Sequence, residues 1–122
     1  MATDERTAEQ LLGGFPDSLR LYEAVRRAIE EIGETTVRVG RSQVAFRRRK
    51  GFAYVWRPGQ YVASDVPAVL SIALPYEVAS GRFKEVAHPA ATVWMHHLEL
   101  RDAAQLDAEV RGWLVSAFDN AG

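Results

Sequence analysis

The chain has no cysteine among its 122 residues. That excludes a disulfide framework, a thiol nucleophile and a thiolate metal site. No stretch approaches the ~20 apolar residues of a membrane-spanning helix. The opening MATDERTAEQ is polar and acidic and has no apolar signal core. These absences predict a soluble, cytoplasmic protein with no membrane partner. Lysine is scarce, since thirteen of the fifteen basic residues are arginine. Acidic residues are missing altogether from positions 35–64, where Arg38, Arg41, Arg47, Arg48, Arg49, Lys50 and Arg57 give a local charge of +7. The flanking segments 1–34 and 65–122 each carry −4, so the net charge of −1 conceals a cationic block. Such a block can steer an anion to one part of the surface, or be complemented by the acidic segments beside it.

A chain of this length makes one domain, at the usual ~100–150 residues. It buries roughly two-thirds of its unfolded surface without help from a metal. Positions 1–6 are expected to form a flexible tail. Thr7-Ala8-Glu9-Gln10 has capping-box spacing, with a hydroxyl at the N-cap and a glutamine three residues on. Pro16 and Asp17 then suit the first turn of a second helix. Its apolar stripe is Leu19, Tyr22, Val25, Ile29 and Ile32, with Gly33 as the expected stop. Glu23–Arg27 and Arg26–Glu30 are spaced as i,i+4 pairs on its solvent side.

From Thr35 the period changes to two. TVRVG, QVAFRR, GFAYVWR, PAVLSIALP and VWMHHLEL read as strands, with 76–92 as a long irregular connection. In PAVLSIALP the face is Leu70, Ile72 and Leu74; in VWMHHLEL it is Trp94, His96, Leu98 and Leu100. A second capping box, Asp102-Ala103-Ala104-Gln105, predicts a final helix with Leu106, Val110, Trp113 and Ala117 inside. The order of elements predicts an α+β two-layer sandwich: an antiparallel sheet of about five strands with the N- and C-terminal helices on one face.

The segment QVAFRRRKGFAYVWR raises the main question. With an even loop such as Lys50-Gly51, Arg47, Arg49, Phe52, Tyr54 and Trp56 share an outer face and form a cation–aromatic platform. With a three-residue loop ending in a left-handed Gly51, Val44, Phe46, Phe52, Tyr54 and Trp56 all face the core. Glycine as the last loop residue favours the core arrangement. Downstream, Pro58-Gly59 suits a type II turn that groups Trp56, Gln60 and Tyr61.

Chemistry-bearing constellations are sparse. The serines Ser42, Ser64, Ser71, Ser80 and Ser116 occupy no nucleophile elbow, and neither a phosphate loop nor a dinucleotide fingerprint occurs. His96 and His97 are neighbours on a strand and point to opposite faces, so they cannot chelate one ion together. His97 shares a face with Glu99, and His88 could approach from the preceding loop, but no spacing demands a metal site. The isoelectric point of about 6.3 lies well below that of dedicated nucleic-acid binders.

The stretches SQVAFRRRKGFAYVWRPGQY, LSIALP, RFKEV, MHHLEL and LDAEVRGWL resemble a small actinobacterial family, domain of unknown function 5655. The resemblance runs from about Leu12 to Phe118 and maps onto Ser42, Phe46, Trp56, Arg82, Lys84, His96 and His97. It transfers no catalytic role. A similar domain closes longer proteins labelled predicted transporters, some with nuclease-like regions, so the resemblance implies a stand-alone binding or accessory domain.

Together these features predict a non-enzymatic binding or accessory module for an anionic ligand or protein partner, acting without a cofactor as monomer or homodimer. Its expected contact surface is the hairpin's Arg47, Arg48, Arg49, Lys50 and Arg57 with Trp56, Tyr61, Arg82, Lys84 and His97. Two alternatives stand beside it: a nucleic-acid-binding accessory domain, and an enzyme using the His96-His97 strand.

Overall fold

The computed structural model describes residues 7–122, so the tail expected over positions 1–6 lies outside the described residues. Helix α1 (Ala8–Leu12) opens with both halves of the Thr7–Gln10 capping box. Helix α2 (Pro16–Glu30) opens with proline in its first turn and buries Leu21, Tyr22, Val25, Ala28 and Ile29. It stops three residues before Gly33. That glycine is required for a close approach, because a Cβ there would lie 2.6 Å from Cζ of Phe118. Of the two expected ion pairs on α2, Arg26–Glu30 forms at 2.9 Å.

Six strands follow: β1 (Thr36–Val39), β2 (Gln43–Arg47), β3 (Gly51–Trp56), β4 (Ala68–Leu74), β5 (Glu85–Ala90) and β6 (Val93–Leu100). They form one antiparallel sheet in the order β1-β2-β3-β4-β6-β5. The strand beyond the expected five is β5, inside the stretch taken for irregular chain. Its Pro89 and the register shift between Ala87 and Ala90 erase the alternation that marks a strand. Helix α3 (Ala108–Asn120) completes the fold and is capped by Asp107, which accepts from the Val110 N–H. The Asp102–Gln105 box forms, but it starts a 3₁₀ turn over Ala103–Gln105 instead of the helix.

Helices α2 and α3 pack on one face of the sheet, α3 over β3 and β4 and α2 over β4. Between the layers lie Val44, Phe46, Val55, Leu70, Ile72, Leu98 and Leu100, all nearly inaccessible, with Val25, Ile29, Val110 and Leu114 from the helices. No helix among the described residues is long and apolar enough to cross a membrane.

The β2–β3 hairpin adopts neither of the two expected geometries in full. Val44 pairs with Val55, Ala45 with Tyr54 and Phe46 with Ala53, and then the register shifts so that Arg47 meets Gly51. Phe52 is the extra residue of a bulge, and it turns inward beside Ala53 at 1% exposure. Tyr54 and Trp56 therefore point away from the helices, as the even loop requires, while Phe52 enters the core. The favoured core arrangement fails because it needs a left-handed Gly51, and no described glycine has a positive φ. The same fact overturns the type II turn at Pro58-Gly59, where the chain makes a 3₁₀ turn over Pro58–Gln60.

Candidate functional site

The face of the sheet opposite the helices is built by alternation. One row crosses five strands: Arg38 lies opposite Ala45, Ala45 opposite Tyr54, Tyr54 opposite Ser71, and Ser71 opposite His97. Glu85 on the edge strand β5 continues it opposite His97. Neighbouring rows add Gln43 opposite Trp56, Trp56 opposite Val69, and Ala73 opposite Met95. The face thus has aromatic rings at its centre, arginine on one margin and carboxylates on the other.

A short polar chain fixes the centre. The Trp56 indole donates from Nε1 to Ser71 Oγ at 2.9 Å, and Ser71 Oγ lies 2.7 Å from His97 Nδ1. An indole nitrogen only donates, so the Ser71 oxygen accepts from it, and the same hydroxyl links the indole to His97 Nδ1. Ser71 is 2% exposed. Burial pushes the His97 pKa below its ordinary 6.5; the charge of Glu85 opposes the shift and His96 adds to it. The Trp56 ring meets Tyr61 at 5.9 Å and His97 at 6.0 Å, both edge-on, a geometry aromatic pairs prefer. Beside this group is a depression of about 250 Å³ lined by Gln43, Tyr54, Ser71 and Met95.

Of the residues expected at the contact surface, Trp56, Tyr61 and His97 come together here. Arg47 points to the same face at the far end of β2, where its guanidinium and the Tyr54 hydroxyl crowd the space beside Gly51. Arg57 lies beside Trp56 in the chain, but its guanidinium is stacked 3.6 Å over the Phe15 ring. The hairpin tip is engaged elsewhere. Arg49 and Lys50 donate backbone N–H groups to Ala121 O. Arg48 lies 4.1 Å over the Phe118 ring and donates to Phe118 O, where a cation suits the carbonyl end of α3. Part of the cationic block is thus complemented by a helix terminus.

Arg82 is on the helix side, held by Asp107 and Glu109 at 2.9–3.0 Å and by Gln105 O. This guanidinium and the Val110 N–H hold the Asp107 carboxyl below its ordinary range. Lys84 donates its backbone N–H to His97 O, and its side chain is exposed. His96 faces the core: Val78 N–H donates to its Nε2 at 2.9 Å, so Nδ1 carries the hydrogen and donates to Ile72 O. His88 stacks on Trp94 with ring centroids 3.8 Å apart. Among the described residues no three histidine or acidic side chains are placed to hold a metal ion.

Sequence reasoning missed Ser71 as part of this group and placed Tyr54 on this face only in the even-loop arrangement. The alternation of PAVLSIALP does turn Ser71 away from Leu70 and Ile72, but which residue it meets depends on the pairing of β3, β4 and β6. Residues 7–121 match the family described as Domain of unknown function (DUF5655). No curated protein and no protein of solved structure matches the chain.

Proposed function

This chain belongs to the DUF5655 family, and from that premise, which brings no activity with it, we propose a function from the surface alone. The domain is a non-enzymatic binding module whose helix-free sheet face takes a planar, anionic ligand. One observation carries the reading: Tyr54 and Trp56 stand on the uncovered face, with the indole held by Ser71 and His97. A ring held in place loses little freedom on stacking, which favours its use as an anchor. The ligand's ring lies against Tyr54 and Trp56, its polar edge toward the His97 imidazole, and its negative charge toward Arg47, whose guanidinium lies near the Tyr54 hydroxyl.

A second reading, single-stranded nucleic acid, is favoured by the acid-free block from 35 to 64 beside these rings. Salt separates the two, because each phosphate contact releases counterions and steepens the loss of affinity with salt. Titration with a nucleoside monophosphate and with a single-stranded oligonucleotide, at several salt concentrations, is the test. The ligand reading expects the mononucleotide to bind with a shallow salt slope, and Trp56→Ala to weaken it roughly 5- to 100-fold, the worth of one stacking contact. A mononucleotide that fails to bind beside a steeply salt-dependent oligonucleotide supports the second reading. Binding of neither overturns both. The Ser71–His97 contact resembles a nucleophile with its base, but Ser71 Oγ is buried and already accepts from Trp56, which supports positioning over catalysis.

A further inference from the structure

The two edges of the sheet differ. On β5 the edge carries Pro89, which has no N–H to offer, and a shift in register; both blunt an edge against further pairing. On β1, Thr36–Val39, there is neither proline nor bulge, and among the described residues no strand lies beside its outward N–H and C=O groups. The side chains of β1 divide cleanly. Val37 lies opposite Phe46 on the helix side, is 40% exposed, and lines a groove of about 450 Å³ with Arg26, Glu30, Gly33, Glu34 and Thr35. Thr36 and Arg38 point to the open face, where Thr36 lies opposite Arg47. Neither Arg38 nor Arg47 belongs to an ion pair among the described residues.

We propose that the β1 edge is a docking site for an extended acidic segment of another protein, which adds a seventh strand. Backbone pairing supplies the affinity of such strand addition, and alternate side chains supply the specificity. An apolar side chain enters the groove beside Val37, where Arg26 and Glu30 already neutralise each other and Glu34 disfavours a second acid. Acidic side chains on the other face of the added strand meet Arg38, with Arg47 behind Thr36. The partner segment therefore alternates apolar and acidic residues. A second copy of this chain fits poorly, because pairing two β1 strands gathers the Arg38 and Arg47 guanidinium groups of both copies along one seam. The site shares Arg47 with the ligand reading above but uses neither the rings of β3 nor that reading's conclusion.

The test is a labelled, end-capped seven-residue peptide alternating valine and glutamate, titrated onto the full chain by fluorescence anisotropy. Hydrogen exchange at residues 36–39 is followed in parallel. Binding is expected, with slowed exchange at β1, and the same peptide N-methylated at alternate valines loses it. The exposed substitution Arg38→Glu weakens binding by roughly tenfold or more, through repulsion where there was complementarity. Tyr54→Ala leaves it unchanged, which separates this site from the ring face. The proposal is overturned if the peptide does not bind, if a valine–lysine peptide binds as well, or if Arg38→Glu has no effect. A dimer of the protein alone with β1 protected would also overturn it, in favour of self-pairing.

Discussion

Ser71 serves two rings with one hydroxyl. Replacing it with alanine leaves the half-buried Trp56 N–H without its partner, and an unmade buried hydrogen bond costs ~1–3 kcal/mol. Ser71→Ala is therefore expected to lower the unfolding free energy by that amount, read as a lower urea midpoint, and to loosen the indole. His97 makes the same group sensitive to pH. Burial lowers its pKa from 6.5, so the unfolded chain binds more protons than the folded one as pH falls through that ordinary value. Stability is then lost as the pH falls through 6.5 toward the lower folded-state value. Urea unfolding at a series of pH values around and below 6.5 is expected to show a loss of stability that His97→Gln reduces. At this scale the sequence was only half legible. His97 stood out as a polar residue on a strand. Ser71 did not, because its significance comes from the strands on either side of its own.

Among the elements, the β2–β3 hairpin decides the site. Alternation correctly divided Val44, Phe46 and Val55 from their neighbours, but the direction of Phe52, Tyr54 and Trp56 depended on a bulge. A single extra residue at Phe52 lets one ring enter the core while the next two stay outside. Nothing local in KGFAYVW announces that shift. The shift brings Phe52 against Phe118, distant in sequence, whose rings meet edge-on at 5.8 Å. Phe52→Ala is expected to cost ~3–5 kcal/mol, as for other buried phenylalanines, and to be measurable by thermal unfolding. By the same reasoning Gly33→Val is expected to lower the Tm, since the new Cβ meets the Phe118 ring. The helix starts were more legible, because capping chemistry is local; the second box went astray because a box can open a 3₁₀ turn as readily as a helix.

The described residues form a six-stranded antiparallel sheet with helices α2 and α3 on one face. The order of elements made that architecture legible in advance, apart from the blunted edge strand β5. The division of charge was equally plain in the sequence, but its use was not. Arg48 serves the end of α3 and Arg57 the Phe15 ring, while Arg38 and Arg47 stand on the open face. The account rests on that face being a binding surface, and the Trp56 indole N–H reports on it directly through its bond to Ser71. The decisive measurement is a two-dimensional NMR titration of the protein with a nucleoside monophosphate. The account predicts saturable shifts at the Trp56 indole, Tyr54 and His97, with the indoles of Trp94 and Trp113 unmoved. Shifts confined to Trp113 and Arg82 on the helix side, or no saturable shifts at all, would contradict it.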